Sequence, residues 1–144
     1  MAQTVGRNLK DIALHATCTV KLGQNVEELI TAQKPAVAFS MGAMGSATTN
    51  FYNAAFQRAG FEDDAKAIQH LWIEGKRQEA AARVPDEMVT QFGAIGTPEM
   101  VRERLRKYQQ VGIDALTLRI EAADRTQRIK DLEQVVDLLR SLDA

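Results

Sequence analysis

Three stretches of the chain predict β-strands, and the first and third alternate apolar with polar or small residues, which is the pattern of a half-buried strand. The first stretch places apolar or small residues at the even positions from Ile12 to Val20 and other residues at the odd positions between them. The third stretch shows the same period of two and ends on Arg119 and Ile120. The predicted strands are Asp11–Leu22, Phe92–Ile95 and Ile113–Ile120.

The segments between and after these strands carry apolar residues at helical spacing. The sequence Gly96-Thr97-Pro98-Glu99 predicts the start of a helix that ends at Gly112, because Thr97 can cap it and Pro98 suits its first position. The last helix follows Asp124 and carries an apolar stripe from Ile129 to Leu142 that needs a surface to pack on. The remaining predicted helices are Val26–Gln33, Ala36–Met41, a helix through Phe51 and Phe56 that ends at Gly60, Glu62–Glu74, Gln78–Arg83 and a short one opened by Pro85.

The order of these elements predicts an α/β fold. A strand, a helix, a second strand and a second helix follow each other from Phe92 onward, and such units build parallel sheets. No repeat, low-complexity segment or linker interrupts the 144 residues, which predicts a single domain spanning residues 1–144.

Composition and charge exclude several classes of function. The net charge of −1, with both signs interleaved, gives no electrostatic footprint for nucleic acid or for an anionic membrane. No apolar run reaches the length of a membrane span, and Lys10 and Asp11 interrupt any signal peptide. These features predict a cytoplasmic protein.

The potential metal-binding and nucleophilic residues are few. Cys18, the only cysteine, stands in an apolar run and is predicted to be a small core residue rather than a nucleophile. His15 faces the polar side of the first strand near its start, where a structural role is favoured over acid–base catalysis, and His70 is predicted to lie on a helix surface. Two distant histidines predict no metal site, and no catalytic residue is singled out.

Arg119 is the strongest candidate for ligand binding. It lies on the smaller, more polar face of the third strand, at the carboxyl end where active sites of α/β barrels form. A guanidinium group there suits a phosphate or a carboxylate. The alternative is an ion pair with Glu121 or Asp124, and the sequence favours neither interpretation.

Two glycine-containing segments are further candidates. Gly42, Gly45 and Ser46 lie in a loop of small residues whose backbone could approach a cofactor, although the glycines also suffice to turn between helices. Gly96 and Thr97 follow a strand and open a helix, which is where barrels often hold phosphate, although a helix cap alone would explain them.

Several motifs, in order and at these spacings, resemble the luciferase-like monooxygenase superfamily, and most of all its members that use the deazaflavin coenzyme F-420. The resemblance covers nearly the whole chain, from about Gly6 to Leu142. It is carried by Lys34–Gly45, Asn50-Phe51-Tyr52, Arg58–Phe61, Val84–Glu87, Gly96–Glu99 and Gly112-Ile113-Asp114.

This resemblance implies a partial (β/α)8 TIM barrel, helix-rich, in which the three strands are the sixth, seventh and eighth and the helices between Val26 and Met88 include an insertion. It implies an oxidoreductase or monooxygenase that transfers a hydride with coenzyme F-420 (8-hydroxy-5-deazaflavin) or FMN and acts on a small-molecule substrate. The cofactor-binding candidates are Gly42, Gly45, Ser46, Gly96, Thr97 and Arg119, which would help to form the barrel mouth.

Two other functions stay open at this point. The first five barrel strands have no counterpart in the chain, so it could bind no coenzyme by itself and be a non-catalytic, truncated barrel piece that self-associates as a homo-oligomer through open sheet edges. A small helical binding module is the weaker alternative, because it would require Ile113–Ile120 to be helical against its alternating pattern.

Overall fold

The computed structural model describes residue 8, residues 11–46 and residues 48–142. The contacts divide the chain into two compact units, one made of the residues up to Gln24 and from Gly93 onward, the other of Asn25–Phe92. The single domain remains a prediction. The elements are β1 (His15–Leu22), α1 (Val26–Gly42), α2 (Phe51–Phe56), α3 (Glu62–Ile73), α4 (Arg77–Ala82), α5 (Asp86–Phe92), β2 (Gly93–Gly96), α6 (Pro98–Gln110), β3 (Ala115–Ile120) and α7 (Arg125–Arg140).

The first unit contains a parallel three-stranded sheet, which confirms the predicted α/β class. Thr19 of β1 is level with Gly93 of β2 on one side and with Arg119 of β3 on the other. The strand order is β2-β1-β3, whereas consecutive strands of a complete barrel would put β2 in the middle. The longest strand occupies the centre, where both of its edges form backbone hydrogen bonds, and the four-residue β2 lies at the side.

One face of this sheet forms the core of the first unit. Cys18, Val20 and Ala94 are fully buried on that face and pack against Val101, Leu105 and Val135 from the helices α6 and α7. The apolar face of β3 packs against the same cluster, as its alternation predicts. The opposite face of β1 and β3 keeps the polar side chains.

The last helix follows its predicted stripe only in part. Val135 is fully buried, and Leu138, Leu139 and Leu142 pack beside it. Ile129 and Leu132, at the start of the stripe, keep nearly half of their surface exposed. The predicted docking surface of α7 is therefore shorter than the apolar run.

The strand boundaries differ from those predicted. β1 begins at His15 instead of Asp11, and β3 begins at Ala115 instead of Ile113. The amide of Ile113 donates instead to the carbonyl of Tyr108 and closes the end of α6, so it is not available to the sheet. Phe92 ends α5, and the second strand is Gly93–Gly96 instead of Phe92–Ile95.

Pro35 does not separate two helices as predicted. A single helix, α1, replaces the predicted Val26–Gln33 and Ala36–Met41. Proline removes the hydrogen bond to the carbonyl of Thr31, one turn earlier, but both residues are exposed, so water can satisfy that carbonyl.

The other helices of the second unit follow the predictions closely. α3 spans Glu62–Ile73, and a turn of π-helix, Gln57–Phe61, precedes it. Gly60 has a φ of 99° inside that turn, which separates α2 from α3 and confirms the predicted end of the earlier helix. Among the described residues, no helix is long and apolar enough to cross a membrane.

Candidate functional site

The carboxyl ends of β1 and β3 bring two cationic side chains to the same face of the sheet. Arg119 is level with Thr19, and Lys21 follows Thr19 by two residues, so the side chains of Lys21 and Arg119 point to one side. Strand spacing and rise put their Cα atoms about 8 Å apart. Two cations are therefore fixed on neighbouring strands at the edge where ligands of parallel sheets bind.

An open pocket of about 550 Å³ lies at this edge of the first unit. Arg128, from the first turn of α7, adds a third cationic side chain to its lining. The turn between β3 and α7 supplies the rest of the wall. The complete lining is Lys21, Arg119, Ile120, Glu121, Ala122, Ala123 and Arg128.

Arg119 forms no ion pair with Glu121 or Asp124, the two partners that its alternative interpretation required, nor with any other residue that the structure describes. Asp124 instead caps α7 by accepting a hydrogen bond from the amide of Gln127 at 2.8 Å. The guanidinium of Arg119 is therefore available to an anionic ligand. Whether it binds one stays a prediction.

Gly96 and Thr97 lie at the carboxyl end of β2 and have structural roles of their own. Thr97 caps α6, with its hydroxyl oxygen accepting the amide of Met100 at 3.4 Å. Gly96 has a φ of 134°, and its carbonyl accepts the amide of Gly23 at 3.0 Å. Neither residue lines the pocket of Arg119. Contact of Gly96 and Thr97 with a cofactor remains a prediction, and the helix cap forms without it.

Gly42, Gly45 and Ser46 belong to the second unit, at the end of α1. A Cβ atom on Gly42 would overlap with Cβ and Cγ of Trp72, so this glycine allows α1 and α3 to approach closely. Gly45 has a φ of 108° and faces the carbonyl of Thr49. Ser46 accepts the amide of Thr49 on its hydroxyl at 2.9 Å. The fold therefore explains these three residues without a ligand, and their contact with a cofactor stays a prediction.

A buried asparagine pair holds the end of α1 in place. Asn50 donates to the carbonyl of Met41 at 2.6 Å, and Asn53 donates to the same carbonyl at 3.2 Å and to the carbonyl of Ala65 at 2.7 Å. Asn53 is almost fully buried, and its side-chain oxygen accepts from Gln57 at 2.6 Å. This network connects α1, α2 and α3 beside the predicted Gly42–Ser46 loop.

The other candidates have the environments that the sequence predicts. Cys18 is fully buried in the core, and burial raises the pKa of its thiol, partly offset by a hydrogen bond with Tyr108. The side chain of His70 is largely exposed on α3, 3.2 Å from Glu74. His15 is exposed at the start of β1. In the part of the chain that the structure describes, no three metal-ligating side chains cluster.

Two residues of the pocket, Lys21 and Arg128, are not among the site residues that the sequence predicts. The signal for Lys21 was present, because it continues the odd-numbered polar face of β1 to the carboxyl end. Arg128 carried no such signal, since a cation in the first turn of a helix reads as a solvent-exposed residue. Only the placement of α7 brings it to the pocket.

The chain is similar to proteins of known family. Residues 1–115 match the family model described as luciferase-like monooxygenase. A candidate coenzyme F-420-dependent oxidoreductase of Mycobacterium tuberculosis is 27% identical over 130 residues, which cover 90% of this chain and 37% of that protein. The solved structure of coenzyme F-420-dependent tetrahydromethanopterin reductase from Methanopyrus kandleri matches with a TM-score of 0.63 and 22% identity, over 89% of this chain and 35% of the reductase.

These similarities support different conclusions. The match to the solved reductase concerns the fold, and it confirms the helix-rich α/β arrangement of a partial TIM barrel. The chain spans little more than a third of the length of either relative, 37% of one and 35% of the other. The activity of a whole relative therefore does not transfer directly to this chain.

Proposed function

Because the chain belongs to the luciferase-like monooxygenase family, we propose that it serves an oxidoreductase reaction with a flavin-type coenzyme. The coenzyme is F-420 (8-hydroxy-5-deazaflavin) or FMN, and the names of the two relatives favour F-420. When bound, such a coenzyme would supply hydride transfer to or from a small-molecule substrate. A cytoplasmic location is part of this proposal and rests on the sequence features alone.

The observation that carries the proposal is the guanidinium of Arg119, which forms no ion pair with a described residue and lines an open pocket at the carboxyl edge of the parallel sheet. Active sites of α/β barrels form at this edge, and arginine there binds phosphate or carboxylate groups with two parallel hydrogen bonds. Arg119 would hold an anionic group of the coenzyme or of the substrate and so fix its orientation.

The lining of the pocket fits part of such a ligand. Its cations suit an anionic group, and Ile120, Ala122 and Ala123 offer a small apolar surface. The volume of about 550 Å³ lies within the range of small-molecule sites. Gly96, Thr97 and the Gly42–Ser46 loop remain proposed contacts of the coenzyme. Binding titrations of variants at these positions would test them.

The direct test is a fluorescence titration of the purified chain with coenzyme F-420 and with FMN. We expect saturable binding of one of them with a Kd below about 1 mM. Absence of saturable binding of both would refute coenzyme binding by this chain.

A variant series would assign the contact. We expect Arg119→Gln to raise the Kd about tenfold or more, since a hydrogen bond to a charged group contributes about 1.5–3 kcal/mol. Arg106→Gln is the matched control, because Arg106 pairs with Glu103 on the surface of α6, away from the pocket lining. Equal effects of the two substitutions would argue against a role of Arg119.

Self-association is a second candidate function, and the open edge of β3 favours it. The amide of Ala115 donates to the carbonyl of Leu14, just before β1, and that of Glu121 donates to Val20 of β1. By alternation, the amides of Leu116, Leu118 and Ile120 point to the other edge. No strand in the described part of the chain pairs with that edge. An unpaired edge can add a strand from a second copy.

The helix α7 of the same unit also exposes apolar residues. Ile129 and Leu132 stand one turn apart and are each about half exposed, at 49% and 47%. We expect light scattering to find a homo-oligomer and Leu132→Glu to lower its mass. A monomer at every concentration would rule out this candidate.

A further inference from the structure

The pocket at the carboxyl edge has an excess of positive charge. Lys21, Arg119 and Arg128 line it together with a single carboxylate, that of Glu121. None of the three cations forms an ion pair with another residue in the described ranges. Three cations and one carboxylate converge on this pocket, so the net positive charge of the lining favours an anionic ligand.

We infer that this pocket binds a phosphate monoester in its doubly charged form, held jointly by Lys21, Arg119 and Arg128. A phosphate monoester carries a charge of about −1.5 to −2 at neutral pH. The formal excess of the lining is two positive charges, which such a group would neutralise. A singly charged carboxylate or diester would leave one cation without a partner.

The geometry suits a group with three acceptor oxygens. The three cations come from three separate elements, β1, β3 and α7. Arginine forks match two phosphate oxygens at once, and lysine adds a compact point charge. Because Lys21 and Arg119 stand on paired strands, their backbone positions are fixed before the ligand arrives.

The rest of the lining indicates an organic ester instead of inorganic phosphate. Ile120, Ala122 and Ala123 form an apolar part of the wall next to the cations. The pocket volume of about 550 Å³ is well above the size of a phosphate ion. The phosphate group belongs either to a phosphorylated substrate or to FMN. The inference rests on the proposed function only for the identity of the molecule that carries the phosphate.

The test compares phenyl phosphate with phenyl sulfate, which has nearly the same shape but carries a single charge. Calorimetry should show phenyl phosphate binding about tenfold more tightly at pH 7.5. Between pH 5 and pH 7.5 its affinity should rise as its second proton, with a pKa near 6, dissociates. The affinity of phenyl sulfate should stay constant over the same range.

Substitutions of Lys21 and Arg128, which are not among the site residues predicted from the sequence, would locate the phosphate site. Lys21→Gln and Arg128→Gln should each weaken phenyl phosphate binding about tenfold. Lys130→Gln and Arg106→Gln are the matched controls on exposed helix positions and should leave it unchanged. Circular dichroism would verify that each variant remains folded.

The outcomes separate this inference from the proposed function. Equal affinity for the phosphate and the sulfate, or no effect of Lys21→Gln and Arg128→Gln, would overturn it. Tighter binding of FMN than of riboflavin, with displacement of phenyl phosphate, would support it with the coenzyme as the source. Binding of phenyl phosphate alongside coenzyme F-420 would support it with the substrate as the source. Binding of phenyl phosphate without either coenzyme would sustain it and refute the proposed function.

Discussion

Gly42 offers a decisive test of whether the Gly42–Ser46 loop is constrained by packing. Replacing glycine by alanine inside a helix ordinarily stabilises it by about 0.5–1 kcal/mol, because glycine loses more backbone entropy on folding. Gly42 is the last residue of α1 and has a helical φ. If only helix propensity mattered, Gly42→Ala would therefore stabilise the protein slightly.

The structure predicts the opposite sign. A Cβ atom at position 42 would overlap with Cβ and Cγ of Trp72, and Cδ2 of the same ring would lie 2.7 Å away. Carbon atoms in contact are about 3.5–4.0 Å apart, so α1 and α3 would have to separate by about 1 Å. Overpacking of this kind costs about 1–3 kcal/mol. We expect Gly42→Ala to lower the free energy of unfolding by about 2 kcal/mol.

The assay is urea unfolding followed by tryptophan fluorescence. Trp72 is the only tryptophan of the chain, so the signal reports directly on the packing in question. Ala36→Gly is the control, because Ala36 is exposed on the same helix and measures the propensity effect without the overlap. An unchanged or increased free energy of unfolding for Gly42→Ala would refute the packing argument.

Two further predictions concern buried groups. Because the pKa of the Cys18 thiol is raised, the folded state holds this proton more tightly than the unfolded state does. The stability that this contributes should be full at neutral pH and should fall above about pH 8.5, where the unfolded thiol ionises. Ellman's reagent should react with Cys18 only after unfolding, and rapid reaction of the folded chain would contradict this. Asn53→Leu should destabilise the second unit by about 1–3 kcal/mol, because the carbonyl of Ala65 loses a buried donor and the amide of Gln57 loses its acceptor, whereas the carbonyl of Met41 keeps Asn50. Urea denaturation measures this, and a loss below about 0.5 kcal/mol would contradict it.

Periodicity predicted most of the first unit. The alternation in β1 and β3 identified both strands and the face that each buries, because a period of two is a direct consequence of strand geometry. The helix start at Thr97 was correct because one side chain and one proline determine it locally. The boundary errors at Ile113 and Phe92 arose where an amide could serve either a helix end or a strand, which only the three-dimensional arrangement decides.

The error at Pro35 has a similar origin. Proline removes one helix hydrogen bond and crowds the carbonyl one turn earlier, and an exposed carbonyl can turn towards water instead. Thr31 and Pro35 are both exposed, so water can satisfy the carbonyl of Thr31, and α1 continues to Gly42. Exposure of a helix face depends on what packs against it, and this information is not local in the sequence.

The candidate site also depends on information that is not local in the sequence. Arg119 was predicted because its strand position is local information, whereas the cluster with Lys21 depends on the order of the strands. With β1 in the centre, the Cα atoms of Lys21 and Arg119 are about 8 Å apart across one strand pair. If β2 occupied the centre, a further strand would separate them, and the distance would be about 12 Å. Strand order therefore decides whether the first unit has one strongly cationic pocket or two separate cations, and with it which ligands the pocket can hold.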